Sequence, residues 1–130
     1  MKELFDEHCH MVPGVDDGAA DLEESLAMLK MQHEDGVRKI IITPHYRRRM
    51  FETPAKKVHE QFLKLQEAAK KEYPDMSLYL GCELHSNMDL QDILEKRKYV
   101  TMAGSSYVLL EFSEGDSAQH IRERVYNVLS

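Results

Sequence analysis

Apolar and polar positions alternate along this chain in a way that predicts four strand-and-helix units. Residues 3–9 form a weak strand pattern, and Val12-Pro13-Gly14-Val15-Asp16-Asp17-Gly18 carries the Pro, Gly and Asp punctuation of a loop. Leu22, Leu26 and Leu29 then recur at helical spacing. Asp21 is placed to cap that helix, Glu24 to reach back to its start, and Gly36 to close it in a left-handed conformation. Lys39-Ile40-Ile41-Ile42-Thr43 is a short β-branched run of the kind buried on both faces in a parallel sheet, and Pro44 ends it.

Beyond a loop holding Arg47, Arg48 and Arg49, Thr53-Pro54 opens a second helix with a cap and an N1 proline. Val58, Phe62, Leu65 and Ala69 make its apolar stripe, and Pro74 lies past its end. Ser77 to Cys82 reads as a third strand, Asp89 to Lys96 as a short helix and Ser106 to Phe112 as a fourth strand. Ser117 to Leu129 reads as a closing helix whose apolar set is Ile121, Val125 and Val128. Strands that alternate with helices in this way build right-handed βαβ units on a parallel sheet, open or closed into a barrel, so the predicted fold class is α/β.

Charge narrows the function. A formal net charge of −6 argues against a duplex nucleic-acid reader, which needs a basic face, and suits a divalent-cation site. No apolar run approaches the about 18 residues that span a bilayer, and the N-terminal residues lack a signal peptide's apolar stretch, so the expected location is cytoplasmic. Cys9 and Cys82 have no ligand-type spacing and read as small buried apolar groups.

In parallel α/β sheets, functional side chains collect where the strands end at their carboxyl termini. The first predicted strand ends at His8 and His10, the second at His45, the third at Glu83 with His85 just beyond, and the fourth at Glu111. On an extended chain His8 and His10 point to the same side, with Cys9 facing away. Asp17, in its glycine-flanked loop, can hang over the same mouth, and Asp16 can equally be the inward one. Glu83 and Glu111 follow apolar runs, where an unpaired buried charge is costly and a cation removes the cost.

Imidazoles and carboxylates without thiolate pairs suit Zn, Mn or Fe in a site with open positions, and a bridging Glu83 would give a two-metal hydrolytic centre. Arg47, Arg48 and Arg49 are placed either to attract a phosphoryl group or to form a solvated basic loop.

Several segments also look familiar together. These are Asp6-Glu7-His8-Cys9-His10, Pro13 to Gly18, Glu23-Glu24-Ser25, Thr43-Pro44-His45, Met50-Phe51-Glu52-Thr53-Pro54, Gly81-Cys82-Glu83 and Leu110-Glu111-Phe112. In this order, from about residue 4 to the end, they resemble the polymerase-and-histidinol-phosphatase (PHP) superfamily. Within it they are similar to the manganese-dependent phosphotyrosine phosphatases encoded with bacterial capsular polysaccharide genes.

The resemblance implies a distorted seven-stranded (β/α) barrel holding up to three divalent ions, usually manganese, and acting on the phosphotyrosine tail of a capsule-regulating tyrosine kinase. It implies that His8, His10 and Glu83 hold one ion, Glu83 and Glu111 a second, and Asp17 with His45 a third. Asp16 and His85 have no ligand role in that pattern. It further implies a single truncated PHP-like domain over residues 1–130, with about four βα units of the family barrel. The remaining half would bring another histidine, an Asp-x-His pair and phosphate-binding arginines. Two readings follow: a metal-dependent phosphatase, or an inactive metal-binding half-barrel serving as an interaction or scaffold module. Uncovered strand edges lead to an expectation of self-association or pairing with a second-half chain.

Overall fold

The computed structural model describes residues 3–129. Three strands, β1 (Leu4–Asp6), β2 (Val37–Ile42) and β4 (Ser77–Leu80), form a parallel sheet in the order β1-β2-β4. Another three, β3 (His45–Tyr46), β5 (Glu83–His85) and β6 (Leu109–Glu111), form a second in the order β3-β5-β6. Between and after them lie α1 (Leu22–Glu34), α2 (Ala55–Glu72), α3 (Leu90–Lys96), a 3-10 turn at Met102–Gly104 and α4 (Ala118–Leu129). The α/β class with parallel pairing is as the pattern predicts.

The second and third predicted strands form as β2 and β4, and each is followed, after a short break, by a further strand that the pattern did not predict, β3 and β5. Proline has no N–H to give a ladder, and at Thr43-Pro44 the chain turns aside: the Thr43 amide donates to the Cys9 carbonyl at 2.8 Å. The matching break at Gly81-Cys82 is stitched by Gly81 N–H to the Ile42 carbonyl at 2.8 Å and Glu83 N–H to the Pro44 carbonyl at 2.9 Å. A side chain at Gly81 would meet the Met102 sulfur at 2.9 Å, so the 3-10 turn packs there only because the residue is glycine. The outer strands are shorter than expected. β1 stops at Asp6, leaving His8 and His10 in the segment beyond it, and β6 covers only Leu109–Glu111.

The main core lies between the first sheet and α1 with α2. Leu29 of α1 and Val58, Phe62, Leu65 and Ala69 of α2 pack on Ile40, Ile42, Leu78 and Leu80. A smaller core under α3 gathers Cys82, Leu84, Met88, Leu90 and Val100 against the second sheet. The α1 cap is as expected: Glu24 N–H donates to Asp21 Oδ1 at 2.8 Å, and Gly36 takes φ of +95°. Glu24 reaches back to the Ala20 amide, one residue earlier than a capping box requires.

Three expectations fail. Pro54 stands at the N-cap of α2, one residue before the helix, and not at its N1 position. Thr53 does not cap α2, because its hydroxyl donates to the Val15 carbonyl at 3.0 Å and so ties the helix entrance to the loop after β1. Ile121 and Val125 of α4 are exposed, and of the predicted stripe only Val128 reaches the smaller core.

Leu65 is wholly buried and Leu63 is 44% exposed. Leu65→Ala is therefore expected to cost about 2–5 kcal/mol and Leu63→Ala less than about 0.5 kcal/mol, read from denaturant midpoints.

Candidate metal centre

The carboxyl ends of the strands converge on Glu83, the first residue of β5, whose side chain is nearly inaccessible. His8 Nε2 lies 2.5 Å and His10 Nε2 3.2 Å from its Oε1, so both imidazoles of the segment after β1 do meet on one side. Parallel pairing sets His45 of β3 level with Glu83, and His45 Nδ1 stands 3.5 Å from Glu83 Oε2. The same nitrogen is 3.5 Å from Glu111 Oε1, at the end of β6, while His45 Nε2 is 3.6 Å from Asp17 Oδ1.

These atoms fall into three overlapping groups, each with its donors within 4.8 Å of one another: His8, His10 and Glu83; His10, Asp17 and His45; His45, Glu83 and Glu111. The structure thus brings together all six residues singled out in the sequence. It also adds His10 to the Asp17 pair and His45 to the two glutamates.

The two aspartates of the loop separate into different roles. Asp16 has a side chain with no accessible surface. One oxygen accepts from His10 Nδ1 at 2.9 Å and from the His45 amide at 3.0 Å, and the other accepts from the Gly18 amide at 2.9 Å. It therefore fixes the His10 ring with Nε2 turned toward Glu83, the support that a ligating histidine needs. Asp17 is 65% exposed and faces the mouth.

Gly18 is needed because a Cβ there would sit 2.1 Å from the His10 carbonyl oxygen. Ser25, wholly buried, anchors the same loop by donating to the Met11 carbonyl at 2.5 Å. The sequence marked Gly18 only as turn punctuation, and its close approach to His10 depends on the folded loop. Likewise, Ser25 gave no signal of a loop anchor.

Electrostatics expose the strain of packing these groups without a cation. Burial raises the Glu83 carboxyl, but hydrogen bonds with His8 and Glu111 and the charge of His45 outweigh it and hold it below the ordinary value. Glu111 is raised, first by burial, then by its hydrogen bond to Glu83 and that neighbour's negative charge. The two neighbouring carboxyls thus shift in opposite directions, Glu83 down and Glu111 up. Even so, His45 Nδ1 and Glu111 Oε1 remain buried with no hydrogen-bond partner. Orphaned buried donor and acceptor atoms of this kind, in imidazole and carboxylate company, fit a divalent ion.

Cys9 and Cys82 stand outside the cluster, and burial pushes both thiols up to about 12, so neither offers a thiolate. His85 is buried away from the three groups. Its Nδ1 accepts from the Asn87 amide and its Nε2 meets Ser113 Oγ at 2.9 Å.

Comparison with known proteins gives the chain a family. The family model for capsular polysaccharide synthesis, CpsB/CapC, matches residues 4–130. The chain belongs to the CpsB/CapC family. It is 40% identical over 126 residues to the tyrosine-protein phosphatase CpsB of Streptococcus pneumoniae, covering 97% of this chain and 52% of that protein. Over 125 residues it is 27% identical to the tyrosine-protein phosphatase YwqE of Bacillus subtilis, covering 96% of this chain and 49% of YwqE.

Among solved structures, it superposes with a TM-score of 0.85 and 27% identity on a chain from the crystal structures of YwqE and CpsB, described as unique metal-dependent tyrosine phosphatases. The match covers 97% of this chain and 51% of that one. The chain therefore spans about half the length of the CpsB/CapC relatives it matches. Among the described residues no helix is long and apolar enough to cross a membrane.

Gly18→Ala is expected to displace His10 and weaken divalent-metal binding by about tenfold or more, measured by calorimetric titration, with the helical circular dichroism retained. The His10–Asp16 pair also sets a pH dependence in the metal-free protein. The His10 pKa is raised, chiefly by the hydrogen bond to Asp16, so its contribution is complete below 6.5 and is lost as pH rises through the higher folded value. The Asp16 pKa is lowered: burial opposes this, but hydrogen bonds from His10, His45 and Gly18 prevail. Its contribution is complete above 3.8 and is lost as pH falls through the lower folded value. Thermal midpoints of the metal-free chain should decline at both ends of this range, and Asp16→Asn should flatten the profile.

Proposed function

We propose that this chain is the metal-binding part of a metal-dependent phosphatase that acts on phosphotyrosine in a protein, by resemblance a capsule-regulating tyrosine kinase, in capsule or exopolysaccharide synthesis. The observation that carries this reading is the convergence of His8, His10, Asp17, His45, Glu83 and Glu111 into three overlapping donor groups. The family supports it: the S. pneumoniae and B. subtilis relatives are named tyrosine-protein phosphatases.

In this reading the six residues are metal ligands. His8 and His10 hold one position with Glu83, Glu83 and Glu111 a second, and Asp17 with His45 a third. Manganese is the metal the resemblance favours, and zinc or iron also suits the donors. Bound divalent ions supply Lewis-acid polarisation of a phosphoryl oxygen and a water acidic enough to attack near neutral pH. Glu83 lies in two of the donor groups, so it sets the spacing of neighbouring positions. Asp16 holds the His10 tautomer, with Nδ1 engaged and Nε2 presented. Glu111 Oε1 is buried with no hydrogen-bond partner, which leaves it available to a cation.

The three-stranded parallel sheets β1-β2-β4 and β3-β5-β6 are read as about four units of a PHP-type (β/α) barrel, with residues 1–130 in one domain and cytoplasmic in location. Further ligands are expected from a second half, in the same polypeptide or by pairing.

A second reading keeps the metal and removes the turnover: an interaction module built on the same cluster. It is favoured by the openness of the site, where His8 is 52% and Asp17 65% exposed.

Hydrolysis of a phosphotyrosine peptide by the chain with manganese decides between them. The phosphatase reading expects turnover that chelation abolishes and that His8→Ala with His10→Ala reduces by at least about a hundredfold. Manganese binding without turnover would leave the interaction module. Absence of manganese binding would remove both.

A further inference from the structure

Alternate residues of a strand face the same side, so the face that carries His45, Glu83 and Glu111 continues toward the mouth of the site through the next inward positions. In register, β3 pairs His45 with Glu83, and β5 pairs His85 with Glu111. Arg47 lies two residues past His45, His85 two past Glu83, and Ser113 two past Glu111. These three residues do meet. His85 Nε2 is 2.9 Å from Ser113 Oγ, and the Arg47 guanidinium donates to the same oxygen at 3.4 Å. The Asn87 amide donates to His85 Nδ1, so the His85 proton is on Nε2 and is given to Ser113. The serine oxygen thus receives two donors, one from the end of β5 and one from the loop that follows β3.

Arg47 differs from its neighbours in the basic run. Arg48 and Arg49 are exposed, whereas Arg47 is half-buried, and its backbone is fixed on both sides of the turn by hydrogen bonds with Phe51. Its charge is felt at Glu111 and at His85, where it lowers both pKa values, although burial raises Glu111 overall and is the larger cause of the lowering at His85. Among the described residues no carboxylate forms an ion pair with it. A half-buried guanidinium beside a cluster of carboxylates, held by a neutral hydroxyl and lacking an anion of its own, has free donors in a planar fork.

We propose that Arg47 is the anion clamp of this site, binding the phosphomonoester dianion, and that Ser113, backed by His85, positions its guanidinium. The inference rests on the metal-dependent phosphatase reading and adds to it the residue that grips the substrate's phosphoryl oxygens. Arg47 would touch substrate. Ser113 and His85 act only through Arg47.

Titration calorimetry tests this on the 130-residue chain, first with manganese and then with inorganic phosphate added to the manganese-loaded protein. Arg47→Ala is expected to weaken phosphate binding by about tenfold or more while manganese affinity stays within about threefold. Arg47→Gln keeps the side-chain stem and carries the same expectation should the alanine variant fold poorly. Ser113→Ala should weaken phosphate binding by a smaller factor and Ser113→Thr restore it, which a merely structural role would not produce. Arg48→Ala should match the parent chain.

Phosphate binding by Arg47→Ala equal to that of the parent overturns the clamp and leaves the metal centre standing. So does a parent chain that binds manganese but not phosphate. Loss of manganese along with phosphate in both Arg47 variants makes Arg47 a structural part of the centre and overturns the clamp as well. A parent chain that binds no manganese overturns the functional reading, and the clamp falls with it.

Discussion

A buried carboxylate must be given donors, and the way Asp16 obtains them organises this half of the molecule. Its side chain is closed to solvent and takes hydrogen bonds from an imidazole and two backbone amides: His10, His45 and Gly18. Those partners lie on the segment after β1, at the start of β3 and within the loop itself. One carboxylate therefore holds a histidine of the segment after β1 and a histidine of β3 at a fixed separation, seen in the stacked His10 and His45 rings with centroids 4.4 Å apart. Removing the charge would leave amides and an imidazole without an acceptor in a closed space, so the constraint is mutual.

Around that pin the interrupted strands acquire a purpose. The breaks at Thr43-Pro44 and Gly81-Cys82 fall side by side and are bridged by Gly81 and Glu83 amides. The ladder continues across them, but β3 and β5 form a sheet of their own, with His45 and Glu83 as opposed first residues. A polar pair would be costly in the middle of an uninterrupted buried strand. Placed at the start of a second sheet, it adjoins the mouth while the apolar β2 and β4 remain packed on α1 and α2. Met102 closes against Gly81 at the same break, which keeps the 3-10 turn close to the sheet.

Belonging to the CpsB/CapC family gives these features a setting, because the matched region lies within proteins about twice as long. The cluster's uneven exposure is consistent with that: Glu83 and Asp16 are closed, while His8 and Asp17 face outward. The exposed Ile121 and Val125 on α4 and the exposed Leu4 and Phe5 on β1 leave apolar surface on elements at both edges of the described fold.

The sequence by itself determined the α/β class, the α1 cap and the six residues that converge in the cluster. Helical and strand periodicities, Asp and Gly termini and strand-end chemistry are local properties that burial preserves. It did not determine that Asp16 is the hydrogen-bonded support of His10, that Thr53 binds Val15 instead of capping α2, that two strands are each followed by another across a break, or that Arg47, His85 and Ser113 meet. Each of those outcomes depends on which backbone groups of distant segments are left needing a partner. That is decided only when parallel pairing fixes the register of β3, β5 and β6 and the loop after β1 folds across them.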